Sequence, residues 1–173
     1  MEIIDSYLEE SEFENIYQRV HDHCWILVKA LNKNAKSEED FQLIHYYVND
    51  CNATYENAGE IPSRVMTPYA HSNNISKILF VRARSNLFVR TSSVAREMGY
   101  HRDIEDSEEV MTLLLYLEDS DGGTQVKETG EKVLSKRNRA VVFPAHVEHQ
   151  TVSATNVLFR SNVNINFIYN DWI

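Results

Sequence analysis

Two residues that can bind a metal ion, His101 and Asp103, stand two positions apart in a segment that begins with Gly99. Side chains two positions apart on an extended chain emerge on the same face, so this imidazole and this carboxylate can grip one ion together. A third ligand must come from elsewhere, and His149 follows a strand-like run that ends at Pro144. Two histidines and one carboxylate leave three positions of an octahedron open, which is the arrangement that suits iron(II) and oxygen chemistry.

A candidate anion-binding residue, Arg160, stands eleven residues after His149 in a segment that alternates between two kinds of side chain. One face of the predicted strand is mainly polar and the other is apolar. The first carries Leu158, Arg160, Asn162, Asn164 and Asn166, and the second carries Phe159, Val163, Ile165 and Phe167. An arginine inside a barrel offers a planar fork that can hold a carboxylate through two parallel hydrogen bonds. The pattern therefore predicts a barrel interior lined for a charged ligand.

These residues belong to a series of motifs that resembles the prolyl-hydroxylase-like family of 2-oxoglutarate- and iron(II)-dependent dioxygenases. The series consists of GYHRD at 99–103, MTLLLYL at 111–117, DGGT at 121–124, VFP at 142–144, His149 and Arg160. It matches the family in order as well as in identity, and it covers about half of the chain, from Ser76 to Ile168. The segment 150–167 also resembles short members of the family that marine phages encode.

The resemblance implies a set of metal ligands and a co-substrate site. It places His101, Asp103 and His149 on an iron(II) ion and pairs Arg160 with the distal carboxylate of 2-oxoglutarate, with O2 as the second co-substrate. His146 is the rival third ligand, but it lies fourteen residues before Arg160, which is longer than the family's usual gap. We therefore prefer His149.

Two further residues are candidates for the co-substrate site on the same grounds. Tyr116 matches a tyrosine whose hydroxyl joins the same carboxylate, and its alternative role is that of an aromatic side chain packed in the core. Asn162 stands where many members have a serine or threonine, and its amide can donate to the co-substrate. The nucleic-acid demethylases of the family have a second arginine where this chain has Asn166. That difference argues against base repair.

The composition argues against several functional classes. The 173 residues carry 26 acidic and 17 basic side chains, a formal net charge of -9, whereas binding to phosphate backbones needs a basic footprint. We therefore expect no nucleic-acid partner. Arg82, Arg84 and Arg90 form a local basic strip that we expect to be solvated or paired. No apolar run approaches the roughly 20 residues of a membrane span, and the acidic N-terminus is unlike a signal peptide, so we expect a cytoplasmic protein without a membrane partner.

The periodicity of the apolar residues predicts an α+β fold that is mainly β in its second half. Three- and four-residue steps predict a helix over 11–33 and a second from Ser37 through Val48, and alternation predicts strands at 76–90, 110–117, 139–143 and 157–168. Helices followed by short strands favour an antiparallel barrel or jelly roll, and the family resemblance implies a double-stranded β-helix. We expect a single domain over 1–173, with a brace of two helices in about 1–60 and the barrel in about 61–173. The loop 52–74 and the segment 91–99 are expected to shape the substrate entrance.

The function implied by these motifs is that of an iron(II)- and 2-oxoglutarate-dependent dioxygenase that hydroxylates an unidentified substrate and releases succinate and CO2. A peptidyl prolyl residue is the first candidate substrate by resemblance, followed by a free amino acid or a small metabolite. The alternative is a cupin-like module that binds a metal or a small molecule without oxygenase activity. Asp103 favours catalysis, since the halogenating branch of the family has a small residue at that position. The sequence gives no oligomeric state.

Overall fold

The computed structural model describes residues 1–29, 41–105 and 107–169, which form two helices and eleven strands. The helices are α1 (Glu10–His21) and α2 (Glu60–Ser72). The strands are β1 (Glu2–Ile4), β2 (Ile26–Val28), β3 (Gln42–Asn49), β4 (Asn52–Ala53), β5 (Ile78–Val89), β6 (Met111–Tyr116), β7 (Gly123–Val126), β8 (Lys132–Leu134), β9 (Arg139–Pro144), β10 (His149–Val152) and β11 (Phe159–Tyr169). In the described parts of the chain, neither helix has the length and apolar character needed to cross a membrane.

The strands form two antiparallel sheets. The larger sheet has the order β1, β9, β6, β11, β5, β3 and β2, with β4 paired to β3, and the smaller sheet has the order β10, β7 and β8. From β6 onward the chain passes back and forth between the two sheets, and side chains from both sheets line one cavity. This arrangement confirms the predicted α+β class and its double-stranded β-helix, or jelly roll.

Strand β11 separates the core from the cavity because its successive side chains point to opposite faces. Its apolar alternates, Val163, Ile165 and Phe167, are fully buried in a core cluster together with Phe13 of α1 and Met66 of α2. The polar alternates therefore lie on the opposite face, and these are Arg160, Asn162, Asn164 and Asn166. The two helices thus cover the outer face of the larger sheet and leave its inner face for a site.

The four strands predicted from alternation are confirmed. β5, β6, β9 and β11 each lie within two residues of their predicted bounds. These strands are neighbours in the larger sheet, where β6 and β5 flank β11 on its two sides. The part of the sequence with clear two-residue periodicity therefore supplies the inner wall of the cavity.

The two predicted helices are misplaced in the first half of the chain. Helix α1 begins close to the predicted position but ends at His21, and Ile26–Val28 forms a strand. The part of that prediction from residue 30 onward, and the start of the second predicted helix at Ser37, lie outside the described residues. From Gln42 onward the second helix is wrong, because those residues form β3 in the larger sheet. The predicted brace of residues 1–60 therefore contains strands as well as α1, and the single domain stays a prediction.

A β-bulge explains why β3 has the residue spacing of a helix. The register of β3 against β5 shifts between Tyr46 and Val48, so strict alternation is interrupted there. As a result Ile44, Tyr47 and Val48 are all buried, at the three- and four-residue steps expected of a helical stripe. The same spacing in the sequence is compatible with a helix or with a bulged strand, and the pairing with β5 makes these residues a strand.

The second helix lies instead at Glu60–Ser72, inside the segment 52–74 that was interpreted as a loop at the substrate entrance. Its Val65 and Tyr69 belong to the core cluster on the outer face of the larger sheet. Pro62 lies in the first turn, where its missing N–H does no harm, but Pro68 lies inside the helix. The loop interpretation rested on the small and polar residues of this segment. Because α2 packs in the outer core, this helix does not line the cavity, and that expectation is wrong for its residues.

Candidate active site

The three predicted metal ligands converge between the two sheets. Ligand-type atoms of His101, Asp103 and His149 all lie within 4.8 Å of one another. The amides of residues 101 and 149 each donate to the other residue's carbonyl at 2.9 Å, and the amide of Asp103 donates to the carbonyl of Ala145 at 3.0 Å. These hydrogen bonds connect the segment that carries His101 and Asp103 to the start of β10 and to Ala145, the residue after β9. Backbone pairing therefore brings the three side chains together.

The rival ligand His146 lies outside this group. It is in the turn between β9 and β10, whereas His149 is the first residue of β10 and pairs with His101. His146 lines a separate depression beside Arg102 and Glu148, and its Nδ1 has no hydrogen-bond partner in the described structure. Of the two histidines, only His149 is in the candidate metal group found in the described residues.

The carboxylate of Asp103 is buried and held by several donors. Arg82 donates from Nη2 to Oδ1 at 2.8 Å, and the hydroxyl of Thr112 donates to Oδ2 at 3.0 Å. The amide of Asn166 donates to Oδ2 at 3.3 Å. Burial raises the pKa of Asp103, but the positive potential of His149 and Arg82 outweighs burial and holds this pKa below its usual value. The carboxylate is therefore an anion with a fixed orientation, as a metal ligand requires.

The two imidazoles are oriented in a way that suits metal ligands. Burial, followed by the neighbouring His149, lowers the pKa of His101 to about 4, so this ring is uncharged near neutral pH. Nδ1 of His149 lies 2.9 Å from the carbonyl oxygen of Val147, and Nε2 lies 3.9 Å from Oδ2 of Asp103. If Nδ1 carries the proton and donates it to that carbonyl, the lone pair of Nε2 faces the centre of the group. This is the usual orientation of a metal-binding histidine.

Arg160 is buried in the barrel with part of its hydrogen-bonding capacity unused. The residue is only 1% exposed, and its guanidinium lies 4.5 Å from the ring centroid of Phe88. Nη2 donates to the carbonyls of Gly123 and Val152 at 3.3 and 3.4 Å, whereas Nε and Nη1 have no partner in the described structure. Burial lowers the pKa of this guanidinium. A buried cation with two unpaired donors is costly, and a carboxylate is the group that best satisfies it.

Tyr116 is fully buried, and its hydroxyl donates to Oγ1 of Thr124 at 2.7 Å. Burial raises the pKa of the phenol, so it is a neutral donor. The side chain interacts electrostatically with Arg160, and Thr124 lines the cavity. The tyrosine therefore lies close to the predicted co-substrate site but has an internal partner, which is compatible with both roles considered from the sequence.

Asn162 lies on β11, between β5 and β6, and lines the cavity. It pairs with Asn86 on one side and with Tyr116 on the other, and its Oδ1 accepts a hydrogen bond from the amide of Asn86 at 2.8 Å. With Oδ1 engaged, the amide nitrogen is the part of this side chain that remains for a ligand. A donor at this position agrees with the predicted contact to the co-substrate.

The cavity between the two sheets includes an arginine that was not predicted to belong to the site. His101 and His149 line it, and Met98 from the segment 91–99 lines it as well. The further lining residues are Gln42, Arg84, Asn86, Phe88, Leu114, Thr124, Thr151, Asn162 and Asn164. The strip of basic residues is thus divided: Arg82 is paired, as expected, but Arg84 faces the cavity.

Comparison with known proteins shows a shared fold without sequence similarity. No family model and no curated protein matches the sequence. Among solved structures, an oxidoreductase of the 2OG-Fe(II) oxygenase family from Burkholderia pseudomallei aligns with 96% of this chain and 84% of its own, at 13% identity and a TM-score of 0.73.

Two prolyl hydroxylases align over a similar length. The enzyme of Trichoplax adhaerens, solved with a peptide fragment of the hypoxia inducible factor oxygen degradation domain, covers 96% of this chain and 82% of its own, at 12% identity and a TM-score of 0.66. A prolyl-4-hydroxylase of Pseudomonas putida covers 98% and 92%, at 12% identity and a TM-score of 0.62. The chain therefore has the fold of 2-oxoglutarate- and iron(II)-dependent oxygenases, as the motifs predicted, and its chemistry has to be argued from its own residues.

Proposed function

We propose that the protein is an iron(II)- and 2-oxoglutarate-dependent dioxygenase that hydroxylates an organic substrate and releases succinate and CO2. The observation that supports this most strongly is the pairing of two features within one barrel. One is the group of His101, Asp103 and His149 within 4.8 Å. The other is the buried Arg160 with two unpaired donors. A metal-binding module needs the first feature only, whereas this class of enzyme needs both.

The donor set of the candidate centre fits iron(II). Two imidazoles and one carboxylate are the facial set that leaves three coordination positions for co-substrate and oxygen. Arg82, Thr112 and Asn166 support the carboxylate of Asp103 and limit its rotation. Such supporting contacts commonly matter for metal affinity. His101, Asp103 and His149 are accordingly the proposed ligands.

The co-substrate would be held through its distal carboxylate. Arg160 would pair with the distal carboxylate of 2-oxoglutarate, which supplies acceptors for the unpaired Nε and Nη1. Tyr116 and the amide nitrogen of Asn162 are further donors near that end. When bound, iron(II) and 2-oxoglutarate activate O2 for insertion of oxygen into a C–H bond of the substrate.

The contribution of the chain itself is positioning and the exclusion of water. Asp103 and Arg160 are 8% and 1% exposed, so the charged groups are oriented by the protein and not by solvent. In such an enclosed site electrostatic contacts are stronger than in water, and their geometry needs no rearrangement during the reaction. The substrate would enter past the segment that carries Met98 and Tyr100, which lies at the cavity beside β10.

A peptidyl prolyl residue is the first candidate substrate, because two of the solved structures with this fold are prolyl hydroxylases and one of them holds a peptide. A free amino acid or a small metabolite is the second candidate. A nucleic-acid substrate is disfavoured by the net charge of -9. Asn166 also replaces the second arginine of the demethylases, and its amide is engaged with Asp103 and Thr112.

The test is the conversion of 2-oxoglutarate by purified protein. With iron(II), O2 and ascorbate, which reduces the second oxygen atom in place of the unidentified substrate, we expect succinate and CO2 in equal amounts. We expect neither product when iron is removed by a chelator. Binding of iron(II) without any binding or turnover of 2-oxoglutarate would instead favour the cupin-like module.

A further inference from the structure

A second arginine faces the cavity that holds the candidate metal ligands. Arg84 lies on β5, opposite Asn164 of β11, and lines the cavity together with His101 and His149. Its Nε is buried and has no hydrogen-bond partner in the described structure. In the same described residues no carboxylate lies within ion-pair distance of Arg84. Asp103, which is bonded to Arg82, interacts with Arg84 at longer range. Burial lowers the pKa of the Arg84 guanidinium, whereas Asp103 and a side-chain hydrogen bond with Tyr46 act in the opposite direction.

Two unpaired acceptors lie beside this unpaired donor. The amide nitrogen of Asn86 donates to Asn162 at 2.8 Å, and the amide nitrogen of Asn164 donates to Asp103 at 3.4 Å. These bonds orient both amides and leave Oδ1 of Asn86 and Oδ1 of Asn164 buried without partners. Asn86 is two positions from Arg84 on the same face of β5, and Asn164 is the cross-strand partner of Arg84. The three groups therefore form one patch in the cavity wall.

The co-substrate does not complement this patch. 2-Oxoglutarate is a dianion without hydrogen-bond donors, so it cannot satisfy the two amide oxygens. Iron(II) and the dianion together add no net charge, and the ion pair of Arg82 and Asp103 adds none either. Arg84 and Arg160 thus leave an excess of positive charge in a site from which water is largely excluded. A ligand that carries both an anionic group and an N–H donor would compensate both deficits.

We infer that the patch of Arg84, Asn86 and Asn164 is the substrate subsite and that the substrate is a free α-amino acid. Its carboxylate pairs with the guanidinium of Arg84, and its ammonium group donates to Oδ1 of Asn86 and Oδ1 of Asn164. This inference rests on the proposed dioxygenase function, and it selects the second candidate substrate, a free amino acid, over the peptidyl prolyl residue.

The test is a binding experiment with protein in which manganese(II) replaces iron(II), so that no turnover occurs. Calorimetry first measures the binding of 2-oxoglutarate. The protein saturated with 2-oxoglutarate is then titrated with each of the twenty standard L-amino acids, and every ligand that binds is compared with its amide and its N-acetyl derivative. We expect at least one free amino acid to bind and both blocked forms to bind at least roughly 10-fold more weakly, since each lacks one charged contact.

Variants of Arg84 connect this binding to the patch. Arg84→Gln should weaken the binding of the amino acid by at least roughly 30-fold. Arg84→Lys should weaken it by less, because lysine keeps the charge and loses the planar guanidinium fork. Both variants should bind 2-oxoglutarate as the wild type does, which also shows that they are folded. Arg90→Gln is the matched control, since Arg90 directly follows β5, donates to the carbonyl of Thr155 and is exposed.

Several outcomes would overturn the inference. One is binding of 2-oxoglutarate without binding of any amino acid. Another is a blocked prolyl peptide that binds equally well to wild type and Arg84→Gln. A third is a loss of 2-oxoglutarate affinity in Arg84→Gln, which would make Arg84 a co-substrate residue. In all three cases the dioxygenase proposal survives, whereas a wild-type protein that fails to bind 2-oxoglutarate would remove both.

Discussion

Arg82 and the buried Asp103 form a partly buried ion pair in which Nη2 lies 2.8 Å from Oδ1, and this contact joins the long strand β5 to the segment that carries the candidate metal ligands. Nη2 also lies 3.3 Å from the carbonyl oxygen of Asp103, and Nε donates to Asn166 at 2.9 Å. The arginine therefore fixes the side chain and the backbone of the same residue. Strand β5, which precedes this segment in the sequence, thus orients Asp103, a ligand that was predicted from its spacing to His101 alone.

The first prediction concerns this ion pair. Arg82→Gln should lower the affinity for iron(II) roughly 10- to 100-fold while the fold is retained, because loss of a supporting contact releases the carboxylate of Asp103. Metal titration and thermal unfolding of the apoprotein measure the two properties separately. Unchanged metal affinity would mean that Thr112 and Asn166 suffice to orient Asp103.

The second prediction concerns the ligands. His101→Ala, Asp103→Ala and His149→Ala should each abolish iron binding and turnover without unfolding the domain, whereas His146→Ala should have a milder effect. The reason is that only His149 joins the group within 4.8 Å. Metal content after dialysis and far-UV circular dichroism provide the measurement. A more severe loss in His146→Ala than in His149→Ala would show that the third ligand is misassigned.

The third prediction separates the two roles of Tyr116. Tyr116→Phe removes the hydroxyl that donates to Thr124, and loss of this buried hydrogen bond should destabilise the fold by about 1 kcal/mol. If the hydroxyl also contacts 2-oxoglutarate, the KM for 2-oxoglutarate should rise, by up to roughly 10-fold. Denaturant unfolding and steady-state kinetics distinguish these effects. A change in stability with an unchanged KM would restrict Tyr116 to the core.

The fourth prediction tests the division of β11 into two faces. Ile165 is fully buried in the outer core cluster, so Ile165→Ala should destabilise the protein by about 2 to 5 kcal/mol. The affinity for 2-oxoglutarate should not change, because this side chain points away from the cavity. Chemical denaturation and co-substrate titration of the same variant check both statements, and a selective loss of binding would contradict the assignment of faces.

Much of the candidate site could be predicted because its signals are local. His101 and Asp103 are separated by one residue, and Arg160 stands in a strand whose alternation is unbroken from Asn162 to Phe167. Alternation of this kind fixes which side chains share a face, whatever the neighbouring strands are. The strand β11 and its inward arginine therefore followed from the sequence.

The remaining features depend on long-range pairing that no local pattern contains. Arg84 was expected to be solvated or paired. Its place in the cavity wall depends on the position of β5 between β11 and β3, which no local pattern predicts. Its two-residue spacing from Asn86, in the same alternation, was the available signal. The bulge in β3 likewise conceals the true element, because it breaks the two-residue period by which a strand is predicted.

The affinity of Arg160→Ala for 2-oxoglutarate tests the central claim most directly. A two-pronged, charge-assisted contact in a partly desolvated site contributes about 2 to 4 kcal/mol. Each ~1.4 kcal/mol is tenfold in affinity, so Arg160→Ala should lower the affinity for 2-oxoglutarate by roughly 30- to 1,000-fold. The affinity of Arg160→Lys should lie between those of Arg160→Ala and the wild type. Iron binding should remain unchanged, since Arg160 is not among the proposed ligands. Anaerobic titration of iron-loaded protein, followed through the metal-to-ligand absorption band, gives the result. An unchanged affinity in Arg160→Ala would contradict the co-substrate role of this residue and with it the proposed dioxygenase function.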